Sequence, residues 1–196
     1  MMSVSLKMVA IHGSARASGN SWKLLDEAVA RAKELRPDIE VELVRAYSAN
    51  VDPCVACEGC YEDQVGCTVG GDGWHHIEGI LRSADILLLS SSVYFMGLPA
   101  PLKAIVDRLQ ALWWYAERGG KVATNKGPFR RAGLILVAAG DGVFDPSRRV
   151  AMAAINTLGF ELIAELTAGG LEEPDEAGAM PELVEEARRL GARLVE

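Results

Sequence analysis

Two stretches of this chain carry residue types that do chemistry, and the first is a knot of thiols. All four cysteines, Cys54, Cys57, Cys60 and Cys67, fall within fourteen positions. So tight a spacing is a poor way to staple a chain of 196 residues, but a good way to surround one inorganic centre. Repeated Cys-x-x-Cys steps wrap thiolates around a cubane, with the fourth ligand arriving from a looser distance. Tetrahedral zinc usually takes two separated knuckles. On spacing alone a [4Fe-4S] cluster, zinc, and free or disulfide-bonded thiols all stay open. The second stretch runs Gly13-Ser14-Ala15-Arg16-Ala17-Ser18-Gly19-Asn20-Ser21, after which helical period begins. A helix start offers unpaired N–H groups, Gly13 and Gly19 let the backbone come close, and Ser14, Ser18, Asn20 and Ser21 add neutral donors. Arg16 supplies the one full charge. There is no Walker lysine and no Gly-x-Gly-x-x-Gly, so a monoester phosphate suits the loop better than a nucleoside triphosphate or a dinucleotide. The plainer alternative is a helix cap at Asn20 or Ser21 beside an ordinary turn.

A third segment, Ser92-Val93-Tyr94-Phe95-Met96-Gly97, is unusually apolar for a loop. Backbone N–H groups in an aromatic, glycine-containing loop suit a flat apolar ligand with ring heteroatoms, and an isoalloxazine meets that demand. The competing explanation is a loop buried by an oligomer partner. Gly140-Asp141-Gly142 provides a small-residue turn where a side chain would obstruct a planar ring, or simply a tight turn. His75 and His76 open a helix and are expected to be exposed. Trp113-Trp114-Tyr115 is expected at an interface rather than beside a flavin. Lys121, Lys126, Arg130 and Arg131 are expected to be solvated, as is the acidic stretch Leu171 to Glu176.

Something must position these loops. Apolar runs at Ser5 to Ile11, Glu40 to Arg45, Asp85 to Ser91, Ala132 to Ala138 and Glu161 to Leu166 read as buried strands, apolar on both faces. Helical period follows at about Ser21 to Leu35, Trp74 to Ser83, Ala100 to Glu117, Ser147 to Leu158 and Pro181 to Val195. Strict β-then-α alternation means a parallel sheet with right-handed crossovers. One of the two dominant topologies is the order 2-1-3-4-5, whose ligand site lies at the carboxyl ends of strands 1 and 3. The cysteines fall after strand 2, in an insertion at about residues 52–70.

Composition bounds the partners. Twenty basic against 27 acidic residues leave a net charge of −7, which disfavours nucleic acid and anionic membranes and favours small molecules. The apolar start, Val4 to Ile11, has no basic leader, and no apolar run spans a bilayer, so a cytoplasmic chain forming a single α/β domain over 1–196 is expected.

Three segments in order resemble the NAD(P)H-dependent FMN reductase family of flavodoxin-like proteins. They are Gly13-Ser14-x-Arg16-x-x-Gly19-Asn20-Ser21, Val93-Tyr94-Phe95-x-Gly97 and Leu102-Lys103-x-x-x-Asp107-Arg108. Ser92 stands where relatives commonly carry proline. The resemblance implies a three-layer flavodoxin-like sandwich with sheet order 2-1-3-4-5. It also implies FMN phosphate held at Ser14, Arg16, Asn20 and Ser21, and the ring at Val93, Tyr94, Phe95, Met96 and Gly97; Gly19, Ser92, Gly140 and Asp141, on the same loops, are expected to contact FMN as well. The cysteines are similar to those of the iron-sulfur flavoproteins within this family, which implies [4Fe-4S] ligation by Cys54, Cys57, Cys60 and Cys67. Implied with it are hydride transfer from NAD(P)H to FMN, an electron acceptor that is a small molecule or a redox protein, and a homodimer or homotetramer. No catalytic acid or base is expected, because the cofactor carries the chemistry. A non-enzymatic flavodoxin-like electron carrier is the alternative.

Overall fold

The sheet expected from β-α alternation is present in the computed structural model, which describes residues 5–62, 66–124 and 130–196. Its strands are β1 (Lys7–Gly13), β2 (Glu40–Arg45), β3 (Ile86–Ser92), β4 (Arg131–Val137) and β5 (Glu161–Ala168). All neighbours are parallel, in the order β2-β1-β3-β4-β5. The helices are α1 (Asn20–Leu35), α2 (Trp74–Ser83), α3 (Ala100–Arg108), α4 (Gln110–Glu117), α5 (Asp145–Thr157), α6 (Glu176–Ala179) and α7 (Pro181–Val195). None of the described helices is long and apolar enough to cross a membrane.

Side chains alternate across a strand, so each central strand feeds two cores. Met8, Ala10, Leu88 and Ile135 face Leu24 and Leu25 of α1 and Leu190 and Leu194 of α7. Val9, Ile11, Leu89 and Leu134 face Trp74 and Leu81 of α2, Leu102 and Ile105 of α3, Leu112 of α4 and Ile155 of α5. Helices α1 and α7 pack so closely that a Cβ at Gly191 would collide with the backbone carbonyl of Ala28. Only glycine admits that approach.

Three expectations are corrected. The edge strand β2 is largely exposed rather than apolar on both faces, because only one neighbour and a short α2 cover it. The helix expected over Ala100 to Glu117 breaks at Leu109, whose N–H bonds the Val106 carbonyl three residues back at 3.1 Å. Arg130 is not a solvated cation. Its guanidinium bonds the carbonyls of Leu81, Ala84 and Leu158 and stacks on Phe160 at 3.8 Å, and burial pushes its pKa down to about 10. Lys126 lies outside the described residues.

Candidate functional site

β1 ends at Gly13, β3 at Ser92 and β4 at Val137, so the loops that follow these strands meet on one edge of the sheet. They enclose a cavity of ≈ 170 Å³ lined by Ser14, Arg16, Gly19, Asn20, Ser21, Ser92, Val93, Tyr94, Val137, Ala138, Ala139, Leu171 and Glu172. Five residues expected at a phosphate and three expected at a ring therefore share one pocket. Phe95, Met96, Gly97, Gly140 and Asp141 lie outside this lining.

The floor of the pocket is the start of α1. Gly19 occupies its N-cap position and offers no side-chain cap, so the first-turn N–H groups keep their capacity for an anion. Ser14 is buried, and its Oγ accepts from the Arg16 N–H at 3.3 Å, curling the loop. Arg16 itself is exposed.

Asn20 serves differently from a simple anion donor. Its Nδ2 donates to the Glu173 carbonyl at 2.7 Å, and its Oδ1 accepts from the buried Ala177 N–H at 3.0 Å. Side-chain contact between Asn20 and a phosphate is thereby reduced to one remaining N–H. The acidic stretch Leu171 to Glu176 is also more than a solvated loop. Leu171 is buried, Glu172 borders the pocket, and Glu173 anchors Asn20.

Serines of β3 brace the same loop. Ser90 Oγ donates to Ser21 O at 2.7 Å, and Ser91 Oγ lies 3.1 Å from Gly13 O. Both serines are fully buried, so their hydroxyls need these carbonyls.

The apolar loop is a tight two-ended turn. Tyr94 and Gly97 exchange backbone hydrogen bonds at 3.0 and 2.9 Å, while Phe95 and Met96 between them take φ of 50° and 60°. Left-handed backbone at two consecutive non-glycine residues is strained, and such strain collects where a surface is held for a ligand. Ser147 Oγ holds the Met96 carbonyl at 2.8 Å. Phe95 stands fully exposed, with Tyr94 and Met96 about half-exposed. Gly140, at φ 58°, has open space where a Cβ would stand, in keeping with a turn that can accept a flat neighbour.

Behind the phosphate-type loop lies a group that sequence reasoning missed. His12 is 1 % exposed, shares a hydrogen bond with Ser21 Oγ at 3.2 Å and meets the Trp22 ring edge-on. Burial, and then the charge of Arg45, pull its pKa down to about 4, so the ring is neutral at pH 7. Arg45, from the end of β2, stacks on Trp22 at 4.0 Å and donates to Ala17 O at 3.2 Å. A histidine closing an otherwise apolar strand just before the loop was the available signal.

All four cysteines border a second pocket of ≈ 320 Å³, together with Arg108 and Tyr61. Cys54 and Cys57 are exposed, Cys60 and Cys67 half-buried, and burial pushes the Cys60 thiol up. Left-handed Ala56 and Glu58 turn the chain on either side of Cys57, one within each Cys-x-x-Cys step. Among the described residues no three of His, Cys, Asp and Glu converge on the place of one ion. A soft four-thiol donor set around a pocket this wide fits a polynuclear iron-sulfur group better than a single tetrahedral ion. His75 and His76 are exposed, as expected. Of the aromatic trio, Trp114 lies tilted against Tyr61 at 4.6 Å and meets Trp113 edge-on at 5.1 Å, at the margin of the cysteine pocket.

Known proteins agree with this architecture. The chain is 33 % identical over 138 residues to an iron-sulfur flavoprotein of Archaeoglobus fulgidus, covering 70 % of this chain and 56 % of that protein. It is 34 % identical over 110 residues to one of Methanocaldococcus jannaschii, covering 55 % and 53 %. The chain thus spans about half the length of the curated relatives it matches. Among solved structures, the NAD(P)H:quinone oxidoreductase of Methanothermobacter marburgensis superposes with a TM-score of 0.72 at 16 % identity, over 97 % of this chain and 100 % of that one. An FMN-dependent NADH-azoreductase of Bacillus anthracis in complex with FMN gives 0.71 at 19 %, over 97 % and 100 %. These two likenesses carry the flavodoxin-like fold. The family model for NADPH-dependent FMN reductases matches residues 6–162, and the chain belongs to that family.

Proposed function

We propose that this chain is an FMN-dependent NAD(P)H oxidoreductase of the iron-sulfur flavoprotein type, passing electrons from NAD(P)H to an acceptor. The observation that carries the reading is the uncapped start of α1 opening into a pocket shared by the carboxyl-end loops of β1, β3 and β4. The α1 N-terminus, Ser14, Ser21 and the Arg16 guanidinium would hold the FMN phosphate by charge-assisted hydrogen bonds. Glu172, on the rim, offers an acceptor to a hydroxyl-bearing ribityl chain. The turn from Ser92 to Gly97, together with Gly140 and Asp141 after β4, would present backbone to the ring. When bound, the flavin accepts hydride and can release electrons one at a time. The protein's own part is to orient the ring and keep its site shaped. Cys54, Cys57, Cys60 and Cys67 would hold a [4Fe-4S] cluster, which moves single electrons. Exposed Tyr94, Phe95 and Met96 suit burial in a homodimer or homotetramer. A cytoplasmic location and a small-molecule or redox-protein acceptor complete the reading.

The test is an absorption spectrum of anaerobically purified protein before and after adding NADPH. Flavin bands over a broad brown shoulder, bleaching on NADPH with steady turnover, are expected. A spectrum that stays oxidised with NADPH and, in a second sample, with NADH would refute NAD(P)H as donor, and a colourless sample that fails to take up FMN would overturn the flavin assignment.

A further inference from the structure

The cysteine segment leaves the fold after β2 and returns at α2, and its two ends are tied before any sulfur is involved. Gly73 N–H donates to Asn50 O at 2.7 Å, and Asp52 N–H donates to Asp72 Oδ2 at 3.0 Å. Arg108, the last residue of α3, completes this neck. Its Nη1 reaches Asp72 Oδ2 at 2.7 Å and Asp52 O at 3.2 Å, and its Nη2 reaches Val69 O at 2.7 Å. The pair is buried, the two side chains 1 % and 3 % exposed. A second arginine grips the middle of the segment. Arg118, one residue past α4, donates through Nη1 to Tyr61 O at 2.7 Å and through Nη2 to Glu62 O at 2.8 Å, with Cys60 O at 3.5 Å.

Apart from the bond of Arg108 to the Asp72 carboxylate, the side-chain hydrogen bonds of both guanidiniums go to backbone carbonyls of the segment. Planar forks suit such multiple grips, where lysine would supply only a point charge. Taking Arg108 and Asp72 out of water is costly, so the pair is weak evidence for stability and calls for another use. A flexible segment that carries four ligands loses conformational freedom when it closes on an inorganic group. Pinning both ends and the middle moves that loss from binding to folding. Arg108 also borders the pocket that the four cysteines line.

We propose that Arg108 and Arg118 are positioning residues that hold the cysteine-bearing segment ready for its metal group, so that α3 and α4 act as a template for that site. This rests on the cluster assignment made above. Neither arginine ligates the metal; each sets where thiolates stand.

The test uses the full chain, purified without oxygen, as wild type, Arg118→Ala, Arg118→Lys and Arg108→Lys. Iron and acid-labile sulfide per chain are measured, and after iron removal each protein is titrated with Co2+, read by its thiolate charge-transfer band. Partners that orient metal ligands are worth about 10–100-fold in metal affinity, and a loss of that size is expected for Arg118→Ala. Arg118→Lys is expected to behave like alanine, because the fork is lost with the charge kept. Arg118 is exposed, so FMN affinity and the thermal stability of the iron-free protein should not move in that variant. Arg108→Lys should lower metal retention as well. Wild-type iron content and Co2+ affinity in Arg118→Ala would overturn the proposal, as would a parallel loss of FMN binding and stability in that variant. Wild-type protein that takes up neither iron nor Co2+ would instead remove the cluster assignment, and the template role with it.

Discussion

His12 makes the stability of this protein depend on pH in a window that can be calculated. Its pKa falls from 6.5 in the unfolded chain to about 4 in the fold, first through burial and then through the charge of Arg45. Below pH 6.5 the unfolded chain binds a proton that the folded chain refuses. Stability contributed by the neutral ring is therefore complete above pH 6.5 and is lost as pH falls towards 4. At ~1.4 kcal/mol per unit, the whole window amounts to about 3 kcal/mol. For a chain of this length that corresponds to roughly 6–12 °C in Tm. His12→Gln keeps a polar partner for Ser21 Oγ without a proton to gain. Urea unfolding at pH 4.5 and 7.5, at one saturating FMN concentration, compares the two proteins. The wild type should lose about 2–3 kcal/mol more than the variant on acidification, while the two stay close at pH 7.5. Parallel pH dependence would refute the assignment of a buried neutral imidazole beneath the phosphate-type loop.

Asn20→Asp keeps the acceptor for the Ala177 N–H but removes the donor to Glu173 O and adds a negative charge at the start of α1. Urea unfolding without FMN should show a loss of only about 1 kcal/mol, while isothermal titration shows FMN affinity falling at least tenfold. Arg16→Ala removes the one cation that lines the pocket among the described residues, and fluorescence titration should show FMN binding weakened about tenfold or more, with stability unchanged. Gly73→Ala would drive a Cβ into the Ala49 carbonyl oxygen at the neck of the cysteine segment, where backbone cannot yield as a side-chain tip can. Metal content per chain should drop while FMN still binds.

The parallel α/β layering was legible in the chain itself, whereas the order 2-1-3-4-5, one of two that alternation allows, came from the family resemblance. Apolar runs such as Val9 to Ile11 and Leu87 to Leu89 report burial on both faces, and burial on both faces means helices on both sides of a parallel sheet. The donor-rich loop from Gly13 to Ser21 could be picked out as a candidate anion loop because its residue types are local and short-range. Edge strand β2 was misjudged because exposure depends on what lies beside a strand, which periodicity does not report.

What the linear order of residues determined, then, is every feature whose cause lies within one turn or one strand: the alternation, a helix start at about Ser21, and the grouping of four thiols. Tertiary structure decided the features whose partners lie far apart along the chain. Asn20 meets Ala177, Arg45 meets Ala17, and Arg108 meets Asp72 only after the sheet has brought their elements together. Hydrogen bonds and charges act over a few ångströms of space, whatever the distance in sequence, so the use to which each polar side chain is put was settled by the fold.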